Sequence, residues 1–292
     1  MFYCESCTIQ NTIFTIQKKN KMKKILLFSL SLTALNVFAQ GLKLETGKKI
    51  TSTTTTSVNM DMGMGGQMKI DGSTKNLIEI TGADEKNYNA KSTTVKITMS
   101  QDGMGQTVNF DSDKREDRET AIGKEMSKMV DVTATVTIDK NTGKVTETNK
   151  KAVVTDETNP MASLMGNGIS AEASTASAFF YIPNGKKVGD KWADSVNEAG
   201  MKGLKNFELK SIVENVATIA VTTKSKGTIS KEAQGMQFEI AMEGKGEGII
   251  LVNTKTFLVK KNTLNNDVNG TLDMMGQSLP ITIKSSASTV FE

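Results

Sequence analysis

The chain has 292 residues, with 36 Lys and Arg against 32 Asp and Glu, two Cys and no His. Both Cys stand at positions 4 and 7, so no later segment can build Ser-His-Asp or Cys-His catalysis, a common zinc site or His-ligated haem. Residues 1 to 40 hold five Lys and one acid, which leaves 31 residues of each sign beyond them. That neutral remainder offers no electrostatic footprint for nucleic acid or an anionic membrane.

Met22 to Gln40 reads as a secretory signal. Lys23 and Lys24 form a charged start, Ile25 to Leu35 an apolar run, and Val37-Phe38-Ala39 a small-residue cleavage site, with cleavage expected after Ala39. Residues 1–21 precede this better start and read as a mis-assigned beginning; 22–39 is the signal peptide and 40–292 a single β domain. The Cys4-x-x-Cys7 pair lacks the βαβ context of a redox motif and the second pair of a zinc site. The apolar run falls short of the ~20 residues that span a bilayer, and nothing later is longer, so the mature chain is expected to have no transmembrane helix. With no Cys at the cleavage site it has no lipoprotein anchor either, and the expected location is the periplasm or the outside of the cell.

Strict apolar/polar alternation then recurs along the chain, the pattern of strands buried on one face. It runs through Val58-Met60-Met62-Met64, Val95-Ile97-Met99, Val108-Phe110 and Val130 to Ile138, and again through Phe238-Ile240-Met242, Val268 to Met274 and Leu279-Ile281-Ile283. Glycine-rich turns separate these segments at Gly65-Gly66, Gly103-Met104-Gly105, Gln234-Gly235 and Met275-Gly276. Asp139-Lys140-Asn141-Thr142-Gly143 predicts a four-residue turn with Gly143 left-handed. It is not a calcium loop, which needs Gly at the sixth position and Glu at the twelfth. Asn253 to Val259 repeats this turn, with Phe257 in place of Gly143, and the surrounding matches suggest two related meander units, about 76–150 and 206–261.

The extra length of the first unit is a charged segment, Asp113 to Met129. Asp113 and Glu116 have capping-box spacing, and Ile122, Met126 and Met129 share one helix face that should lie on the sheet. A second non-strand region runs from Thr155 to Pro183. Asn159-Pro160 is expected to open a short helix carrying Met161, Leu164 and Met165, and Phe179 and Phe180 supply the largest apolar area nearby. Gly189-Asp190 predicts a turn that sends Trp192 into the core at the start of the second unit.

No nucleotide-binding fingerprint is present, and the acids are scattered over the polar phase of the strands, so no catalytic residues and no cofactor are expected. A long sheet with one apolar face must close, pack on helices or accept a hydrophobic guest. The expected groove for a lipid or other apolar small molecule comprises Phe110, Ile122, Met126, Met165, Phe179 and Phe180, with Thr155 to Pro183 as its lid. A packed core with an adhesive surface for protein or glycan is the alternative. Met60, Met62 and Met64 on one strand face are third, as soft ligands for Cu(I), against the plainer reading of core filling. Asp194-Ser195-Val196 has the form of an O-glycosylation acceptor at Ser195. The oligomeric state has no signature.

The signal segment, the strand-turn-strand at Ile138 to Val145, the Pro183 to Trp192 stretch and the Met-Gly-Gln ending near Met274 to Ile283 together resemble an uncharacterised family of exported Bacteroidota proteins. The resemblance implies export and a β-rich fold and carries no activity. The expected fold is all-β: a curved antiparallel sheet or incomplete barrel of about a dozen strands with one or two short helices.

Overall fold

The alternating segments extend well past the apolar runs that mark them. The computed structural model describes residues 41–63, 66–103, 105–148, 171–198, 201–233, 236–274 and 277–292. Its strands are β1 (Lys49–Asp61), β2 (Gln67–Ala83), β3 (Asn87–Gly103), β4 (Gln106–Asp111), β5 (Thr133–Asp139) and β6 (Val145–Glu147), followed by β7 (Lys191–Glu198), β8 (Met201–Val213), β9 (Val216–Ala233), β10 (Met236–Asn253), β11 (Val259–Met274) and β12 (Gln277–Phe291). All pair antiparallel in one open sheet, ordered β6-β5-β3-β2-β1-β12-β11-β10-β9-β8-β7, with β4 also on β3. Pro280 lies inside β12, yet the last β1–β12 pair is Asp61–Thr282. The proline is thus placed where β12 has already lost β1 as a neighbour, the kind of position a residue without an N–H tolerates.

β4 and β5 lie on the same side of β3, Gly103 opposite Gln106 and Asn87 opposite Asp139. Together they take the place that the uninterrupted β10 takes beside β9, where Ala233 faces Met236 and Val216 faces Asn253. Residues 112–132 interrupt the first arrangement and have no counterpart in the second.

That interruption forms two helices, α1 (Arg115–Glu119) and α2 (Ala121–Ser127), rather than one. Thr120 is extended and caps α2, its Oγ1 accepting from the Gly123 N–H at 2.9 Å. The expected capping box does not form: the N-cap is Lys114, without a side-chain bond, and the Asp113 carboxylate pairs with Lys96 Nζ at 2.5 Å. β5 begins only at Thr133, since Asp131 has φ 60° and breaks the run that Val130 starts. α3 (Ala171–Ala176) is the third short helix among the described residues, where one or two were expected in the chain; the predicted helix near Asn159 lies outside the described residues.

One face of the sheet carries the core, in two regions. At the basal end, where the Asp139 and Asn253 turns lie, Ile78, Ile80, Val136 and Ile138 are fully buried in one cluster and Leu209, Ile219 and Val252 in another. Complete burial of side chains this size stabilises by roughly 1.5–3 kcal/mol each. Ala178-Phe179-Phe180 joins the clusters: Phe179 belongs to the first, Phe180 packs on the second, and the Phe180 N–H donates to the Phe257 carbonyl at 3.0 Å.

Midway along the strands the same face turns polar. Ser52, Asn76, Ser92, Thr94 and Thr289 are buried there, so the apolar face is not continuous as the alternation suggested. Thr94 Oγ1 donates to Asn76 Oδ1 at 2.9 Å, and the Thr54 and Thr289 hydroxyls are 2.9 Å apart, which offsets part of their desolvation. Beyond this belt, at the distal end, the face is apolar again.

Candidate functional site

The distal apolar zone is covered unevenly. On β2, β3 and β4, Met68, Ile70, Ile97, Met99 and Phe110 are buried beneath Met126 and Val130, contributed by the 112–132 interruption. On the other side, Ile240 and Met242 of β10, Val268 and Leu272 of β11, and Leu279, Ile281 and Ile283 of β12 all remain partly exposed. Strict pairing joins them: Ile283 faces Val268, Leu279 faces Leu272, and Leu272 faces Ile240. The difference follows from the chain itself, because β10 runs uninterrupted where β4 and β5 are separated by the covering helices.

The residues expected to form a groove are not assembled into one. Phe110 and Met126 meet in the distal cluster, 2% and 8% exposed. Ile122 points away, 41% exposed, so only Met126 and Met129 of its helix face meet the sheet. Phe179 and Phe180 lie in the basal clusters, where Phe180 contacts Phe207 at 5.2 Å and Trp192 at 6.4 Å between ring centres. Met165 and most of the expected lid lie outside the described residues. Met60 packs into the distal cluster opposite Met68, and Met62 is partly buried just past β1; Met64 lies outside the described residues. Among the described residues no three Asp or Glu are grouped to hold a metal ion. Ser195 is exposed on the edge strand β7, its N–H donating to Asp194 Oδ1 at 2.8 Å.

A groove of about 820 Å³ exists, but on the opposite face, and most of the side chains that line it are short and polar. Two cross-strand rows line it: Thr98, Ser73, Thr55, Ser288 and Thr263, then Ser100, Asp71, Ser57, Ser286 and Asn265. The trough arises from side-chain length, since the next row toward the distal end carries Asp102, Lys69, Asn59, Lys284 and Asp267, and the next toward the basal end carries Lys96, Lys75 and Lys261. Lys69 Nζ lies 2.8 Å from Asp71, and with the Ser57 hydroxyl it holds that carboxyl below the usual carboxylate range.

A family model matches residues 85–259, from just before β3 to the first residue of β11. The chain belongs to this family of unknown function, DUF6263. The match takes in both the interrupted and the uninterrupted strand arrangements. No curated protein matches the chain. Among solved structures, a study of lipid–protein interactions in lipovitellin aligns over 86% of this chain and 25% of that one, at 11% identity and TM-score 0.49. The chain therefore spans about a quarter of the lipovitellin chain's length. OpdQ of Pseudomonas aeruginosa aligns over 85% and 99% at 5% identity and TM-score 0.24. The translocator domain of the Neisseria meningitidis autotransporter NalP aligns over 94% and 97% at 8% identity and TM-score 0.22. At these scores none of them bears on function. Among the described residues no helix is long and apolar enough to cross a membrane.

Proposed function

We propose that this is an exported, non-catalytic envelope protein that binds an amphiphilic molecule through the distal apolar zone of β10, β11 and β12. One observation carries the reading: on a single sheet face, equivalent apolar surface is buried by an inserted helix pair on one side and left partly exposed on the other. A contiguous apolar patch left partly open to water is the kind of surface that marks an interaction site. The open sheet and the polar belt beside that zone suit a molecule with both an apolar and a polar part.

Native mass spectrometry of the delipidated protein incubated with diacylglycerol tests this. One lipid per chain is expected, with the adduct reduced at least tenfold in Ile281→Asn while far-UV circular dichroism is unchanged. No adduct, or one insensitive to Ile281→Asn, overturns the reading. Export is checked on the secreted form, whose intact mass should begin at Gln40; material retaining Cys4 counts against it.

The polar trough favours a second reading, glycan binding at the surface. Its ten lining positions on the trough face are short hydroxyl, amide or carboxylate side chains between rows that carry lysines. Filling it with Ser286→Arg should abolish retention on an oligosaccharide column without affecting diacylglycerol binding. Equal retention of the variant overturns this second reading.

A further inference from the structure

We infer that the occupant of the polar trough is an extended β-1,4-linked glycan lying across the strands, one sugar to each strand; this rests on the second reading above, in which the trough binds glycan. The juxtaposition that carries it is a pair of parallel rows of short side chains, one from Thr98 to Thr263 and one from Ser100 to Asn265. Both rows run over the same five neighbouring strands, β3, β2, β1, β12 and β11, with direct cross-strand pairing at every step.

Neighbouring strands lie about 4.8 Å apart, so each row repeats at that interval and spans about 19 Å from β3 to β11. A β-1,4-linked chain of pyranoses is a flat ribbon that advances by nearly the same distance per sugar and sends its equatorial hydroxyls out along both edges. The two rows are two residues apart along each strand, about 7 Å, which sets them under the two edges of such a ribbon. An α-1,4-linked chain coils and keeps step with neither row.

The floor of the trough suits hydroxyls rather than a charge. Asp71 is the one ionisable group in the two rows, and Lys69 Nζ balances it at 2.8 Å. Among the described residues the hydroxyls of Ser73, Ser100 and Ser286 have no protein partner, so each can both donate to and accept from a sugar hydroxyl. The rows also end after five strands. Past β3 the first row meets Asp111, which is paired with Lys96 at 3.3 Å, and past β11 the two rows meet Ile249 and Glu247, longer side chains that raise the floor.

The test is isothermal titration calorimetry of the full mature chain with cello-oligosaccharides of two to six sugars and malto-oligosaccharides of the same lengths. Affinity for the β-1,4 series should rise about threefold with each sugar, the effect of one modest hydrogen bond, and level off at about five. The α-1,4 series should bind at least tenfold more weakly at that length. Asn265 is exposed at the β11 end, so Asn265→Arg should fold as the wild type does and move the levelling-off to four sugars, while shorter chains bind as before. Equal affinity for the two series, or a levelling-off that Asn265→Arg does not move, overturns the cross-strand arrangement. Binding of neither series overturns it as well. In that case retention of the wild type but not Ser286→Arg on columns of other oligosaccharides leaves the trough reading standing, and no retention on any of them removes both.

Discussion

Gly143 and Phe257 occupy the same backbone position at the ends of two equivalent turns, with φ 69° and 55°. In both, the N–H of that residue donates to the carbonyl four residues earlier, at 2.9 Å to Asp139 and 2.8 Å to Asn253. A left-handed conformation costs a residue with a side chain roughly 1–2 kcal/mol. Phe257 offsets that cost because its ring is 7% exposed in the basal cluster and lies 5.2 Å from Tyr181. Phe257→Gly should relieve the strain yet destabilise by about 2–3 kcal/mol, since a buried Phe is worth about 3–5. Gly143→Ala should cost only the left-handed penalty, because its Cβ would meet Phe179 Cβ at an ordinary 3.5 Å. Urea denaturation of both variants checks the contrast; a stabilised Phe257→Gly would contradict it.

The same two turns should respond differently to acid. The Asp139 carboxylate accepts the Thr142 N–H at 2.8 Å, the Thr142 hydroxyl at 2.9 Å and the Asn141 N–H at 2.9 Å, and these bonds hold its pKa below the ordinary value. A folded pKa below the unfolded one stabilises fully above about pH 4 and is lost as the pH falls through the folded value. Asn253 Oδ1 makes the matching bonds to the Lys255 and Thr256 N–H groups but does not titrate. Amide exchange at Asn141 and Thr142 should therefore quicken below about pH 4 relative to Lys255 and Thr256. Asp139→Asn should remove the difference, and a difference that persists in that variant assigns it to another group.

Much of this architecture was legible in the alternation and the turns. Val136 and Ile138, or Ile240 and Met242, announce which side of a strand faces inward, and Asp139 to Gly143 announces its own left-handed end. What covers that side is a tertiary matter. Nothing local to Ser52, Ser92 or Thr289 marks them as buried, because each is an ordinary polar strand residue whose cover comes from elsewhere in the chain; Ser52 Oγ, for one, lies 3.4 Å from Ser174 Oγ of α3. Asp113 has the spacing of a cap, and Lys96 across the β3–β4 pair competes for it. One signal was in plain view: Gly244-x-Gly246-x-Gly248 places three glycines on one face of a single strand, where the neighbouring strands already occupy the space that a side chain would need.

Tyr88 ties the beginning of the described chain to the basal cluster. Its hydroxyl donates to the Leu42 carbonyl at 3.0 Å and accepts the Leu44 N–H at 3.1 Å, with Leu42, Leu44 and Tyr88 all buried. Tyr88→Phe keeps the ring and strands both backbone groups, which should cost about 1–3 kcal/mol. Amide exchange at Leu44 should rise before global unfolding. If that amide stays as protected as in the wild type, another acceptor serves it and the tether is dispensable.

Phe179 and Phe180 are neighbours in sequence but serve different clusters, and the chain's one Trp can tell them apart. Trp192 stacks on Phe207 at 5.4 Å and 20° and lies 6.4 Å from Phe180, while Phe179 is buried among residues of β1, β2, β3, β5 and β6. Phe179→Ala should destabilise by about 3–5 kcal/mol without moving the Trp192 emission of the folded state. Phe180→Ala should cost less, because that ring is only partly buried, yet it should shift the emission to the red by admitting water beside the indole. The two effects separate because an extended segment sends successive side chains to opposite sides. Equal emission shifts in the two variants would mean that the basal clusters behave as one core and that the segment does not divide them.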